Sequence, residues 1–536
     1  MKKQPSSDKL RGGYYTPATI ARFLARWSTS GAARSALEPS AGDGNILVEL
    51  ARSMARRSTA SVVGIELVPT EASRAAKRAS EVSGAASSQV KRGDFFCHAA
   101  EWFKKGVRFD AIAGNPPFIR YQDFPAEQRD LAFSLMRELG FQPSKLSNIW
   151  LPFVAISSAL VAERGRLGMV VPAELFQVNY ASELRARLSS LFDRITIVAF
   201  RKRVFPEIQQ EVVLLLCERG GRSRAGVRVV EVEDDTALDD TLDTLEEAEL
   251  KPVDEASEKW TKYFLDASEI LLLRSLREHV GVKKLGHYVD IDVGIVTGNN
   301  DYFVMPRGVR QIMNLEAHTL PLVGRSAALS GVVFGQPDFE AWSTAEKPAF
   351  LFLPSELSSE TVSRYVAEGE RLQVHTGYKC RIRKNWYVVP ATWRPDVFFL
   401  RQADEAPRLV ANKTEARCTD TLHRGRLLNG TTGEQLSAAF LNSLTLAASE
   451  VLGRSYGGGV MTFEPTEAER LPIPGSAFDR LDVAEIDRLV RARRLSTALD
   501  VVDAALLKDQ LGLPKRDIGR LRGIWTKLSQ RRKLRR

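Results

Sequence analysis

The sequence predicts an α/β fold, a mostly parallel sheet with helices on both faces, followed by a second, α+β domain. Three observations carry this. Apolar runs rich in β-formers alternate with helical patterns through the first 220 residues. Beyond an acidic stretch at 231–258 the texture changes to short periodic segments with scattered Gly, Pro and aromatic residues. Finally, 536 residues are too many for one hydrophobic core, so two or three domains are expected.

In chain order, the first helical pattern is ATIARFLARW, with apolar residues recurring at helical spacing, and the first strand is the short apolar run from Ser35 to Glu38. Further strands are expected at Ser61 to Glu66, Val90 to Gly93, Phe109 to Ala113, Gly165 to Val171, Arg194 to Phe200 and Glu211 to Cys217. Helices ILVELARSMARR and SNIWLPFVAISSALVAERG lie between them, and RKRVFPEIQQ joins the last two strands as a hairpin or long turn. The domains are expected at residues 1–245, 246–475 and 476–536, the last a helical extension with a basic end.

The apolar fraction of 44% suits a soluble globular protein. No apolar run approaches the roughly 18 to 20 residues of a membrane span, and MKKQPSSDKL is followed by no signal-peptide core, so a cytoplasmic protein is expected. Cys97, Cys217, Cys380 and Cys418 form no CxxC pair, and the six histidines show no ligand spacing; reduced thiols and no metal are expected. The net charge of +10 suggests a polyanionic partner, and its distribution is uneven. Residues 515–536 hold ten Lys or Arg against Asp517 alone, whereas residues 231–258 hold thirteen acids against Lys251. The acidic stretch is expected to face away from nucleic acid, and the basic end to bind phosphates or to serve as a solubilising tail.

Four stations fall at strand ends. In LEPSAGDGNIL, residues 37–47, Gly42 and Gly44 turn the chain sharply into a helix, so main-chain N–H groups face the crevice above the strands, although such a turn also serves packing alone. GIEL places Glu66 where a carboxylate can accept both hydroxyls of a ribose. GDFF places Asp94 to accept from an adenine amino group beside Phe95, or else to cap the next helix. In FDAIAGNPPFIRY, residues 109–121, the strand stops at Gly114, and Asn115, Pro116, Pro117 and Phe118 follow. Two prolines can neither donate to a sheet nor continue a helix, so they hold the chain extended. Such signals in this order point to an adenosine-bearing cofactor.

The order YYTP, LEPSAGDG, GIEL, GDFF, GNPPF resembles the N6-adenine DNA methyltransferases of the TaqI-type gamma group, restriction-modification methylases with an NPPF motif. The resemblance is strongest over residues 12–218 and continues in VGIVTGNNDYFV, PLVGRS and YGGGVMTFEPTEAERLPIP. It implies a Rossmann-like class I S-adenosylmethionine-dependent methyltransferase domain with a C-terminal α+β target-recognition domain. It implies cofactor contacts from Tyr15, Thr16, Glu38, Pro39, Ser40, Gly42, Gly44, Glu66, Asp94, Phe95 and Asn115. The partners it implies are double-stranded DNA, contacted by a monomer in the cytoplasm near the nucleoid, and a separately encoded restriction endonuclease.

On that reading Asn115 and the Pro116 carbonyl accept the two hydrogens of the adenine amino group, turning its lone pair toward the methyl donor. The base must be flipped out of the duplex, and Phe118 is the face-on partner. Phe205, in the turn Val204, Phe205, Pro206, is the second aromatic, or else it closes the core; the family more often has tyrosine where this chain has Phe118. In the second domain Arg381, Arg383, Lys384 and Trp386 interleave charge and ring as DNA contacts do, and as a solvated basic face over buried aromatics also does. Related NPPF chemistry serves RNA and protein-glutamine methylation, and a fused nuclease would use Asp338 with Glu346 and Lys347, whose spacing departs from a PD…ExK site.

Overall fold

The computed structural model describes residues 15–534, apart from 83, 85, 145–147, 206–210, 221–224, 254–257, 355–358, 457 and 476–477. The chain forms two compact units that divide between Ala267 and Ser268.

The first unit is built on one sheet: β1 (Ser35–Glu38), β2 (Ser61–Glu66), β3 (Ser87–Arg92), β4 (Phe109–Gly114), β5 (Val161–Pro172), β6 (Arg194–Phe200), β7 (Val212–Glu218) and β8 (Gly226–Val232). Their order is β3-β2-β1-β4-β5-β7-β6-β8. The first five strands run parallel, β7 is antiparallel to both β5 and β6, and β8 returns parallel to β6. Helices α1 (Ala18–Ser28), α2 (Asn45–Met54), α3 (Pro69–Ser80), α4 (Phe95–Lys105), α5 (Ala126–Glu138), α6 (Trp150–Ala159), α7 (Ser182–Leu191) and α8 (Leu238–Thr244) accompany the sheet.

Helix α1 presents one apolar stripe, Ile20, Phe23, Leu24 and Trp27, all buried, and α2 does the same with Ile46, Leu47, Leu50 and Met54. Each such side chain contributes about 1.5 to 3 kcal/mol of transfer free energy, which fixes both helices on the sheet. Gly44 caps α2 with φ +92°, and a Cβ there would stand 2.9 Å from Cα of Ala75 on α3, so the turn needs glycine for conformation and for space.

The sheet matches the expected strands with three differences. The run SNIWLPFVAISSALVAERG is not helical to its end: α6 stops at Ala159 and β5 begins at Val161. Arg164 adopts φ +64° there, the pairing of β5 with β4 shifts register between Phe109 and Ala111, and a Cβ at Gly165 would stand 2.9 Å from the Asp110 carbonyl oxygen. A bulge consumes the residues a helix would have used. The strand expected at Val90 to Gly93 starts earlier, at Ser87, because an edge strand tolerates the polar Ser87, Ser88 and Gln89. Strand β8 was not expected, since it ends in the acidic stretch at Glu231 and Val232 and charge masked the alternation in GVRVVEV. Residues 206–210 of the β6–β7 connection lie outside the described residues.

The first unit also runs past the expected boundary at 245/246. Lys251 exchanges two backbone hydrogen bonds with Val227 on β8 (2.8 and 2.9 Å), and Trp260–Phe264 forms a buried 3₁₀ turn. The acidic stretch is thereby folded onto its own unit: Asp239 pairs with Arg22 (3.2 Å) and Arg26 (3.1 Å) on α1, and Glu233 with Lys202 (3.0 Å).

The second unit contains a five-stranded sheet, in the order Val289–Val293, His423–Leu427, Val397–Phe399, Leu409–Asn412 and Val333–Phe334, and a four-stranded sheet centred on Phe350–Phe352 and Thr319–Val323. Helices Gly433–Phe440, Ser443–Leu452, Val483–Arg491 and Leu495–Val502 complete its core. The basic C-terminal segment is the helix Lys515–Lys533, packed on Ser443–Leu452. Arg532 and Glu450, both buried, form a two-pronged pair at 3.0 and 2.9 Å, and Arg522 bonds Asp503 at 2.6 Å. The residues expected as a third domain therefore belong to the core of the second unit. Among the described residues no helix is long and apolar enough to cross a membrane.

Candidate cofactor and target-base site

After β1 the chain lays β2 and β3 on one side and β4 on the other, which opens a crevice at the carboxyl ends of the strands. Glu38 closes β1, Glu66 closes β2, Asp94 follows β3 and Asn115 follows β4, and all four line one cavity of about 590 Å³. Tyr15, Thr16, Pro39, Ser40, Gly42, Phe95 and Pro117 share its wall. Of the expected cofactor residues only Gly44 is set back from the wall, against Ala75.

Each carboxylate is held differently. Glu66 accepts from the backbone N–H of Gly42 and of Val68, both at 2.8 Å, one on each oxygen. That fixes the carboxylate plane and leaves further lone-pair directions on both oxygens. Asp94 caps α4 by accepting from the Phe96 N–H at 2.9 Å, and burial raises its carboxyl despite that bond, so the cap and the cavity position coincide. Glu38 is 2% exposed, and its Oε2 has no hydrogen-bond partner among the described residues. Burial pushes its carboxyl well above the usual range, the Leu47 N–H opposes this, and Asp43 and Glu66 reinforce it. An orphaned buried acceptor costs about 1 to 3 kcal/mol, which an arriving cation or donor would recover.

Asn115 is pinned from two sides: its Nδ2 donates to Thr16 Oγ1 at 3.2 Å, and Ser40 Oγ donates to its carbonyl at 3.1 Å. With the NH₂ turned to Thr16, Oδ1 points the other way. Thr16 is held in turn by Asn45 Nδ2 on its carbonyl at 2.9 Å, and Arg78 braces Asn45 (2.8 Å) and Asp43 (2.7 Å). Sequence reading missed Arg78 and Asn45, which lie outside the motif or beside its named residues. It also missed Phe153 on α6, which lines the cavity and stacks on Phe95 with ring centroids 5.1 Å apart at 16°. A helix apolar all round gave no sign of which ring faces the crevice.

Pro116 is buried and Phe118 half-buried, and Phe118 packs against the apolar core that includes Val204 and Phe205. Phe205 is 6% exposed, so the fold brings both rings to one core while covering the second; Pro206 lies outside the described residues. In the second unit Arg381 and Lys384 are exposed, but Arg383 donates to the Val296 and Thr297 carbonyls at 2.8 Å, and Trp386 bonds Glu370 and packs on Tyr302. Two of the four expected DNA contacts are thus committed to holding the fold. Asp338 caps its own helix and is gripped by Arg491, and Glu346 accepts from the Gly308 N–H, so the nuclease alternative finds no assembled acid pair at these residues.

The cavity wall carries six carboxylates, those of Glu38, Asp43, Glu66, Glu71, Asp94 and Asp123, and among the described residues no Lys, Arg or His. Such a wall disfavours phosphates and suits an adenosine that bears positive charge. The residues present therefore fit S-adenosylmethionine: Glu38 offers an unsatisfied acceptor for an ammonium, Glu66 is oriented for ribose hydroxyls, and Phe95 with Phe153 offers a ring wall.

Residues 2–290 match the N-6 DNA Methylase family, and residues 257–507 match the C-terminal domain of Type II methyltransferase M.Eco57I. The chain is 24% identical over 477 residues to Type II methyltransferase M.XamI of Xanthomonas campestris pv. amaranthicola, covering 86% of this chain and 85% of that one. It is 21% identical over 388 residues to Type II methyltransferase M.AccI of Acinetobacter calcoaceticus, covering 68% of each. The cryo-EM structure of a DrdV–DNA complex shares its fold, with a TM-score of 0.52 and 14% identity over 91% of this chain and 58% of that one.

Proposed function

The chain belongs to the N-6 DNA methylase family, and from that premise we propose that it transfers a methyl group from S-adenosylmethionine to N6 of a flipped-out adenine in duplex DNA. It is a DNA methyltransferase of the restriction-modification type, as its relatives are. The observation that carries the finer reading is the placement of Asn115. Held by Thr16 and Ser40 at the end of β4, it stands on the wall of a cavity lined by acids.

When bound, S-adenosylmethionine supplies an electrophilic methyl group beside a positive charge. The chain does the rest by positioning. Asn115 Oδ1 and the Pro116 carbonyl accept the two amino hydrogens of the base, which favours a pyramidal nitrogen with its lone pair directed into the cavity. Pro116 and Pro117 keep both acceptors still, because neither φ can swing. No strong base is needed, since the nitrogen sheds its proton after transfer. Phe118 stacks on the extruded base, contributing about 1 to 3 kcal/mol, and Phe205 lies on its edge or opposite face. Arg78 pairs with Asp43 and Arg74 with Glu71, so Glu66, Asp94 and Asp123 keep the wall acidic toward the cationic cofactor; Glu38, giving up the proton that burial favours, takes the ammonium, and Glu66 the ribose hydroxyls.

The same acceptor pair would grip the amino group of an RNA base or a glutamine side chain. A tritium-transfer assay offering duplex DNA, RNA and protein separates these substrates. Label recovered as N6-methyladenine in DNA is the expected result, and label in RNA or protein alone would overturn the reading. In the cell we place the protein, as a monomer, beside a separately encoded endonuclease; long-read sequencing of DNA from an expressing host identifies the methylated site.

A further inference from the structure

The second unit presents a platform that combines exposed apolar side chains with uncompensated positive charge. From residue 371 to 395 the sequence has six Lys or Arg and no Asp or Glu; Arg371 pairs with Glu368, Arg394 with Asp396 and Glu415, and Arg383 turns inward, which leaves Lys379, Arg381 and Lys384 as the platform's outward charge. Its centre is the helical turn Tyr378–Arg381, followed by a bend through Lys384. Tyr378 is 65% exposed and Ile382 60%, and Val296 on the neighbouring loop is 37% exposed. Lys379, Arg381 and Lys384 are exposed beside them. Soluble proteins seldom gather large apolar side chains on one small surface without a partner.

The platform is rigid from beneath. Arg383 reaches under it to the carbonyls of Val296 and Thr297, both at 2.8 Å, and lies over the Phe303 ring at 5.6 Å. Gly298, at φ +90°, lets the loop approach so closely that a Cβ would stand 3.0 Å from Lys379 Cβ and 3.1 Å from Cys380 Sγ. Trp386 ties the following residues to Tyr302. The inward residues therefore fix a shape, and the outward ones meet whatever binds.

We infer that this platform docks on duplex DNA, with Tyr378, Ile382 and Val296 set against base edges or a base step and Lys379, Arg381 and Lys384 on the flanking phosphates. The partner follows from the chemistry. A membrane or an acidic protein would satisfy the cations, but the family acts on DNA, and a duplex alone offers apolar base surface between two rows of phosphates. The inference rests on the proposed action on duplex DNA, and it assigns the wedge to Tyr378 and Ile382 and anchoring to Arg383 and Trp386.

The test uses the full chain and a duplex carrying the methylation site identified by genomic sequencing. Tyr378→Ala with Ile382→Ala should weaken binding to that duplex roughly tenfold or more while a scrambled duplex is bound nearly as before. Lys379→Gln, Arg381→Gln and Lys384→Gln together should weaken both duplexes and make the dependence of log K on log salt shallower by roughly three. S-adenosylmethionine binding and the melting temperature should be unchanged in both variants, because the replaced side chains are exposed. Unchanged affinity and an unchanged salt slope would overturn the inference. Wild-type protein that methylates no DNA at all would instead defeat the reading on which it rests.

Discussion

At the scale of single residues, the site is a set of acceptors whose directions are imposed by neighbours. Asn115 is useful because Thr16 and Ser40 settle which way its amide faces. Asn115→Ala should therefore lower the transfer rate by a factor of about 10² or more while S-adenosylmethionine still binds, as read by single-turnover transfer and by calorimetry. Glu38 poses a different problem, a carboxylate kept in the interior with one oxygen unpartnered. Because burial raises its carboxyl, the folded protein holds that proton more tightly than the unfolded chain. Stability accordingly falls as pH rises from the ordinary value of 4.5 through the raised folded value. Glu38→Gln removes the titration. Its ligand-free form should melt higher than wild type at neutral pH, with the difference vanishing on the acid side of the ordinary value, and it should bind S-adenosylmethionine more weakly. A variant that melts lower at neutral pH would refute this account of Glu38.

Secondary-structure elements differ in how far local sequence dictates them. The break at NPPF is purely local: two prolines after Gly114 end β4 wherever the rest of the chain goes. The helix Lys515–Lys533 is the opposite case. Its sequence reads as a run of cations, and both a DNA-binding end and a solubilising tail were open. In the fold, Arg532 is buried against Glu450 and Arg522 meets Asp503, partners supplied by remote parts of the second unit. Arg532→Ala should destabilise that unit by about 3 to 5 kcal/mol, because Glu450 is left as an unpaired buried charge. Arg532→Met combined with Glu450→Leu should recover most of the loss in a urea titration. An Arg532→Ala protein with wild-type stability and only weaker DNA binding would restore the tail reading.

For the molecule as a whole, the two units divide the labour that the proposed reaction requires. Added S-adenosylmethionine should slow amide exchange at the carboxyl ends of β1, β2 and β4, and duplex DNA should slow it at residues 296–300 and 377–384, as read by hydrogen–deuterium exchange mass spectrometry. Protection by cofactor confined to the second unit would contradict the assignment of the cavity. The amino-acid sequence by itself determined the fold class, the first seven strands of the first unit and the four strand-end stations. Those are set by short-range chemistry: apolar periodicity, glycines that permit a turn, and prolines that forbid hydrogen bonding. It did not determine that Phe153 would join Phe95, that Arg78 would brace Asn45, that Arg383 and Trp386 would turn inward while Tyr378 and Ile382 stayed outside, or that residues 226–232, at the edge of the acidic stretch, would form β8. Each of these depends on which remote residue a side chain meets. Burial, ion pairing and orientation are properties of contacts between distant segments, and only the tertiary structure fixes them.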